Sequence, residues 1–233
     1  MSVEGGPDIV TDGLIVNVDA ANIRSFASGS TTWLDLSKNG RNGTLINGPT
    51  YSSANGGILV FDGVNDYITF GNTLGVQGDP FTHNILFYLN SFTTSTANQG
   101  PVIYFRGPFN STAYYFQLPT SQDGVGFFLS TGTSVASTTT TALWRTGNWY
   151  DLCVTRSGAS VRIYVNGADV TNVAGNHSSI YLGGESFIIG AYSSTSPFIF
   201  NSNRVAFFKA YNRALSAREV RQNYHATKGR VGL

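Results

Sequence analysis

Between Trp149 and Val170 the chain reads WYDLCVTRSGASVRIYVNGADV, two runs in which apolar and polar positions alternate. Tyr150, Leu152 and Val154 fall on one side of the first run, and Asp151, Cys153 and Thr155 on the other. In the second run Val161, Ile163 and Val165 alternate with Arg162, Tyr164 and Asn166. A period of two marks a strand with one buried face. Ser157-Gly158 between the runs and Asn166-Gly167 after them suit tight turns, because Gly and Asn accept positive φ. The pattern therefore predicts a three-strand antiparallel meander returning along residues 168–173, with one wet face and one dry face. A dry face needs a second layer, which predicts an all-β sandwich of two antiparallel sheets.

The rest of the chain repeats this grammar of short strands between turn clusters. Strands are predicted at Leu14–Asp19, Thr32–Leu36, Gly43–Ile46 and Gly57–Phe61. Tyr67–Phe70 is read as the partner of the last of these across an Asp62-Gly63 turn. Phe81–Asn90, Pro101–Arg106, Ala113–Leu118, Val125–Leu129, Ser186–Gly190 and Arg204–Tyr211 follow. Ser130–Thr141 is Ser/Thr-rich and reads as a flexible loop or an edge strand. Residues 1–12 read as an extended arm before one domain over 13–233. The one helix, about 216–227, has converging start signals. Ser216 and Glu219 have capping-box spacing, Leu215 and Val220 staple spacing, and Tyr224 lies four positions after Val220.

Composition sharpens the picture. Charged residues make up 12% of the 233, where about a quarter is usual, and there are 27 glycines. Such a neutral, hydrogen-bonding surface fits an exposed coat. Net charge is +1, but residues 204–233 carry +6 and the rest −5, so the C-terminal piece is a candidate for docking an acidic partner. Arg213, Arg218, Arg221 and Tyr224 are the candidate docking residues. Cys153 is the only cysteine, which excludes an internal disulfide framework. The N-terminus lacks the charged and apolar regions of a signal peptide, and no apolar run approaches the ~20 residues that span a bilayer. An external-looking surface without secretion signal or disulfide is what a virion component, assembled in the host cytoplasm, would show. The sequons at Asn42, Asn110 and Asn176 are then coincidental.

Several blocks, in order, resemble the concanavalin A-like jelly roll of laminin-G type found in bacterial and phage proteins. They are residues 13–22; Trp33–Ser37 with Asn42–Leu45; Phe61–Ile68; Trp149 with Val161–Gly167; Ile189-Gly190; and Tyr211–Ser216 running into Glu219 and Gln222–Tyr224. The resemblance implies two curved antiparallel sheets with the first and last strands adjacent, and an adhesive or architectural module. The ending NRALSAREVRQNYHATKGRVGL is similar to that of phage virion proteins carrying this fold.

Candidate chemistry is sparse. Related jelly-roll glucanases carry Glu-x-Asp-x-Glu on one strand, and glycosidases need two carboxylates about 5–9 Å apart. Only Glu4, Glu185 and Glu219 are present, and no Glu-x-Asp occurs, so no catalytic residue is assigned. His177 beside Ser178 and Ser179 reads as a polar loop histidine, since neighbours on an extended chain point apart. No P-loop or dinucleotide fingerprint occurs, and no cofactor is expected unless calcium binds. Asp62, Asn65 and Asp66, with Asp19 if the strands meet, are the calcium candidates; alternation is expected to split Asp62 from its neighbours, and turns favour these residues anyway. Tyr192, Phe198 and Phe200 share one polar loop and are the glycan-binding candidates, while Phe109, Tyr114 and Tyr115 flank another. Near-neutral charge argues against nucleic acid.

The expected function is a non-enzymatic virion structural protein: a capsid decoration, fibre or tail-associated jelly roll docked on other virion proteins or on copies of itself. A lectin-like adhesin for host-surface glycans is the alternative, and a glycoside hydrolase the third.

Overall fold

The computed structural model describes residues 7–72, 74, 80–95, 100–107, 113–120, 127–130, 134–139, 143–177, 185–192 and 200–233. The strands are β1 (Leu14–Asp19), β2 (Thr32–Trp33), β3 (Gly43–Ile46), β4 (Thr50–Ser52), β5 (Ile58–Val60), β6 (Tyr67–Thr69), β7 (Phe81–Leu89), β8 (Val102–Arg106), β9 (Ala113–Gln117), β10 (Phe127–Ser130), β11 (Ser134–Thr139), β12 (Asn148–Ser157), β13 (Ser160–Val165), β14 (Ala168–Asp169), β15 (Thr171–Val173), β16 (Phe187–Ile189) and β17 (Arg204–Tyr211). One helix, α1 (Ala217–Thr227), closes the chain and runs into a 3₁₀ turn at Lys228–Arg230.

Two antiparallel sheets form. The first runs β14-β13-β12-β7-β17-β5-β4, with β1 also on β17; the second runs β15-β11-β10-β9-β8-β16-β6-β3-β2. First and last strands are adjacent, with Val18 opposite Phe208. The predicted meander is present: Leu152 faces Val165 and Tyr164 faces Asp169. Its second turn takes Asn166 and Gly167 to φ 51° and 76°, as a primed turn requires. Beyond β14 the chain crosses over, and β15 pairs with β11 of the other sheet.

Between the sheets lies one core. Tyr150, Leu152 and Val154 join Ile85, Phe87, Phe208, Tyr104, Phe116, Trp144 and Phe187 there, all buried. Its aromatic centre is close-packed: Phe187 stacks on Phe208 at 5.1 Å, and Trp144 meets Tyr150 edge-on at 4.9 Å.

Five expectations change. The face of β12 that carries Asp151, Cys153 and Thr155 is not wet; all three are buried. Its cover comes from the two ends of the chain: Val10, Leu215 and Val220 pack there on Cys153, Tyr164 and Tyr211. Local periodicity cannot register a lid that lies more than fifty residues away in sequence. The arm is accordingly docked over its described part, residues 7–12: Val10 N–H donates to Asn223 Oδ1 at 2.8 Å, and Tyr211 Oη donates to its carbonyl at 3.0 Å. The strands either side of Asp62-Gly63 are not partners. β5 pairs with β4 and β17 in one sheet, β6 with β3 and β16 in the other, so this turn carries the chain between layers. The Ser/Thr-rich segment contains β11, an interior strand between β10 and β15. Finally, the strand predicted at Thr32–Leu36 is cut to Thr32–Trp33, because Leu34 and Leu36 turn aside to donate to the carbonyls of Ser25 and Asn17. Strand β4, which has no alternation to announce it, was not foreseen.

Candidate binding surface

Strand geometry places Tyr115, Phe105 and Ile188 in one row across β9, β8 and β16, with Thr69 of β6 next in line. These side chains stand on the outer face of the second sheet. Tyr67, two residues before Thr69, shares that face. Tyr192 lies over the row, its ring 4.5 Å from Phe105 and 5.1 Å from Tyr115, while Phe200 sits 6.3 Å from Tyr67. Val102, Phe105, Ala113, Ile188 and Ala191 are buried beneath; Tyr67, Tyr115, Tyr192 and Phe200 are only half-buried. Burial, and then the neighbouring Tyr192, raises Tyr115 well above the usual phenol range. Tyr192 is raised by burial too.

Two of the three glycan candidates, Tyr192 and Phe200, thus meet on one aromatic surface, which Tyr115 joins from a second segment. Phe198 and Phe109 lie outside the described residues. Tyr114 is not on this surface: it is buried in the core, stacked at 5.3 Å on Phe81, because strand alternation turns it opposite to Tyr115. Tyr67 was missed; the signal that marked it is alternation in β6, which turns it opposite to the core-facing Ile68.

The Asp62–Asp66 turn is a second feature. Asp62 Oδ1 accepts Val64 N–H at 2.8 Å and Asn65 N–H at 3.3 Å, and Asp66 Oδ2 accepts Asp62 N–H at 3.0 Å. Alternation therefore does not separate Asp62 from Asp66; the chain folds back between the sheets and brings them together. The Asn65 carbonyl accepts from Asn47 Nδ2 at 2.8 Å. Burial, together with the Asp62 charge, raises the Asp66 carboxyl above its ordinary range, against the lowering bond from the Asp62 backbone. Asp19 does not join: its carboxylate pairs with Arg230. Among the described residues no three His, Cys, Asp or Glu converge as metal ligands. A cavity of about 280 Å³ opens beside the turn, lined by Asn47, Gly48, Thr50, Val60, Phe61, Asp62 and Asp66.

On the far face, α1 is fixed by its capping box: Ser216 Oγ accepts Glu219 N–H at 3.3 Å, and Ser216 N–H donates to Glu219 Oε2 at 2.8 Å. Arg218 and Arg221 are exposed on it, as docking residues must be. Arg213 is not free for a partner. It bridges Glu219 at 2.6 Å and Asp12 at 2.8 Å, joining helix to arm. The Arg213 bond holds the Glu219 carboxyl down at about 2. Tyr224 is half-buried against Gly167, where an added Cβ would come within 2.8 Å of its ring.

The buried polar groups serve the frame. His177, expected in a polar loop, is buried and shares a 2.7 Å hydrogen bond with Ser137 Oγ, because β11 runs beside it; its carbonyl accepts from Arg156 at 2.8 Å. Asp151 accepts from Asn84 Nδ2 at 2.6 Å beneath α1. Lys209, two strands over on β17, is buried with its Nζ 3.1 Å from the centre of the Phe207 ring.

Residues 62–221 match a laminin G-type family model of the concanavalin A-like lectin/glucanases superfamily. No curated protein matches the chain. Among solved structures, the chain is similar to Trypanosoma rangeli sialidase in complex with sialic acid, at 14% identity and TM-score 0.68 over 94% of this chain and 33% of that one. It therefore spans about a third of the sialidase. Domain 4 of AbnA, an extracellular arabinanase of Geobacillus stearothermophilus in complex with arabinotriose, aligns at 16% identity and TM-score 0.62, over 91% of this chain and 98% of that one. The binding domain of botulinum neurotoxin serotype G aligns at 14% and 0.65, over 91% and 50%. At these identities the likeness is one of fold.

Proposed function

This chain belongs to the concanavalin A-like lectin/glucanases superfamily, and from that premise we propose that it is a non-enzymatic structural protein of a virion surface, of the capsid-decoration, fibre or tail-associated kind. The observation that carries this reading is the C-terminal helix. Its capping box fixes its start, the Arg213 bridges tie it to the arm, and Val220 and Asn223 seat it on the first sheet, so Arg218 and Arg221 are presented from a rigid support. A basic ridge on an otherwise acidic, charge-poor body suits docking to an acidic neighbour, either another virion protein or a further copy of the chain. Three acids have structural duties: Glu219 caps the helix, Asp19 holds Arg230, and Asp151 is sealed under α1. Mass spectrometry of purified particles tests the reading. Stoichiometric recovery is expected, with an interface above ~1,000 Å², and Arg218→Glu combined with Arg221→Glu is expected to abolish incorporation. A chain absent from particles, or incorporated normally with both charges reversed, overturns it.

A second reading, a lectin-like adhesin for host-surface glycans, is favoured by the surface of Tyr67, Tyr115, Tyr192 and Phe200. Half-buried rings on a sheet offer flat apolar faces for sugar rings. On a glycan array, signal lost in Tyr192→Ala supports it; unchanged signal, or none from the native chain, sinks it.

A further inference from the structure

We propose that Lys209 and Asn84 join in an intramolecular isopeptide bond, Nζ to Cγ, formed within the folded chain with Asp151 as the acid–base catalyst. The site lies beneath α1, apart from the aromatic surface, and rests on neither functional reading.

Three neighbouring strands bring the groups together. Lys209 of β17 stands directly opposite Asn84 of β7. Asn84 is in turn opposite Cys153 of β12, with Asp151 two residues along on the same face. Directly opposed residues have Cβ atoms about 4.5–5.5 Å apart. Asn84 Nδ2 donates to Asp151 Oδ1 at 2.6 Å and to the Leu152 carbonyl at 3.2 Å, both on the β12 side, while β17 flanks the other side of β7. Lys209, Asn84 and Asp151 are at most 3% exposed. Among the described residues, Lys209 Nζ and Asn84 Oδ1 are buried without a hydrogen-bond partner. An ammonium left bare at this depth is costly to hold, and the bond removes its charge.

The chemistry needs no further reactant. Burial brings the Lys209 amine down to about 8, against the raising charges of Asp151 and Asp19, and the Asp151 carboxyl up to about 6. Asp19 is held by Arg230, so Asp151 is the acid left to take the ammonium proton. The freed Nζ lone pair attacks Asn84 Cγ, and the carbonyl π electrons move onto Oδ1. Asp151, already bonded to Nδ2, passes it the proton; the Cγ–Nδ2 bond breaks as the carbonyl re-forms, and ammonia leaves. The surplus proton on Nζ returns to Asp151. Burial holds the Cys153 thiol protonated beside Asn84, so it does not compete with the amine. The cover of α1, whose Thr227 Oγ reaches Asp151 Oδ2 at 3.4 Å, keeps out the water that would hydrolyse Asn84 instead.

The test is the intact mass of the folded full chain, followed by a tryptic peptide map. The expected mass lies one ammonia below that of the sequence, with a branched peptide joining Asn84 to a Lys209 that trypsin does not cut. Lys209→Arg and Asn84→Ala are each expected to restore the full mass, and Cys153→Ser to keep the loss. Asp151→Asn is expected to slow bond formation about a hundredfold or more. A native chain at full mass overturns the proposal, whether or not any variant folds. So does a loss that persists in Lys209→Arg, the mark of a cyclic imide at Asn84, or one that vanishes in Cys153→Ser, the mark of a thioester. Bond formation at the native rate in Asp151→Asn overturns it as well.

Discussion

His83 is a neutral imidazole walled in by rings. It stacks on Phe81 at 4.5 Å and on Tyr114 at 5.7 Å, and meets Phe187 edge-on at 5.1 Å. Among the described residues neither ring nitrogen has a hydrogen-bond partner. Burial, aided by the Arg106 charge, holds its pKa down at about 3. A depressed base contributes stability that is complete above its unfolded value, ~6.5, and lost as pH falls toward the folded one. His83→Phe removes two unsatisfied polar atoms and is expected to stabilise by about 1–3 kcal/mol, more at pH 5 than at pH 7.5, in urea unfolding. Lower stability at both pH values would show that ring size, not polarity, decides this site. Asp151 has the opposite sign. Burial pushes its carboxyl up to about 6, against the lowering charge of Lys209 and the Asn84 bond, so its contribution is present below ~3.8 and lost as pH rises through 6. Asp151→Asn is therefore expected to gain stability relative to the native chain as pH rises from 4 to 7. A pH-independent difference would count against burial of the charge. The alternation of β12 put Asp151 on the correct face, yet it said nothing of what covers that face, because the cover includes Thr227, seventy-six residues on.

At the scale of elements, local signals succeeded where they were chemical and failed where they were merely polar. The helix was legible because capping and staple residues agree on one boundary, and the meander because Gly158 and Gly167 take the positive φ its turns need. Strand β11 was read only as a loop or an edge strand, because its Ser/Thr composition suits either; its interior place was not legible. The crossing between β5 and β6 was hidden because a hairpin turn and an interlayer turn use the same residues. Ser216→Ala is expected to cost about 1 kcal/mol of stability. Gly167→Ala is expected to cost more than ~1 kcal/mol, since φ is +76° and the new methyl would press within 2.8 Å of Tyr224. Thermal unfolding of each variant measures both. A Gly167→Ala chain as stable as the native one would mean that α1 can shift without loss.

Taken whole, the molecule is a sandwich whose first sheet has a third layer, made of the arm and α1. Ordered blocks along the sequence disclosed the jelly roll. The third layer was not disclosed, because both its parts read as surface segments: one an arm, the other an amphipathic helix. Cys153 lies under that layer at 1% exposure, with its thiol held well above the ordinary range by burial. It is expected to resist a thiol reagent in the intact chain and to react at once after removal of residues 212–233. A thiol that reacts equally fast before removal would mean that the layer opens freely.

The placement of β17 bears on how the protein is made. It is a middle strand of its sheet: β7 runs along one side, and β5 and β1 share the other. Among the described residues strand β1 has no other partner in the sheet, so residues translated early must wait unpaired for ones translated late. Such distant pairing makes for slow folding. A ribosome-bound chain stopped short of Arg204 should hold its apolar early strands open to chaperones, and collapse into order in a single step once residues 204–233 emerge.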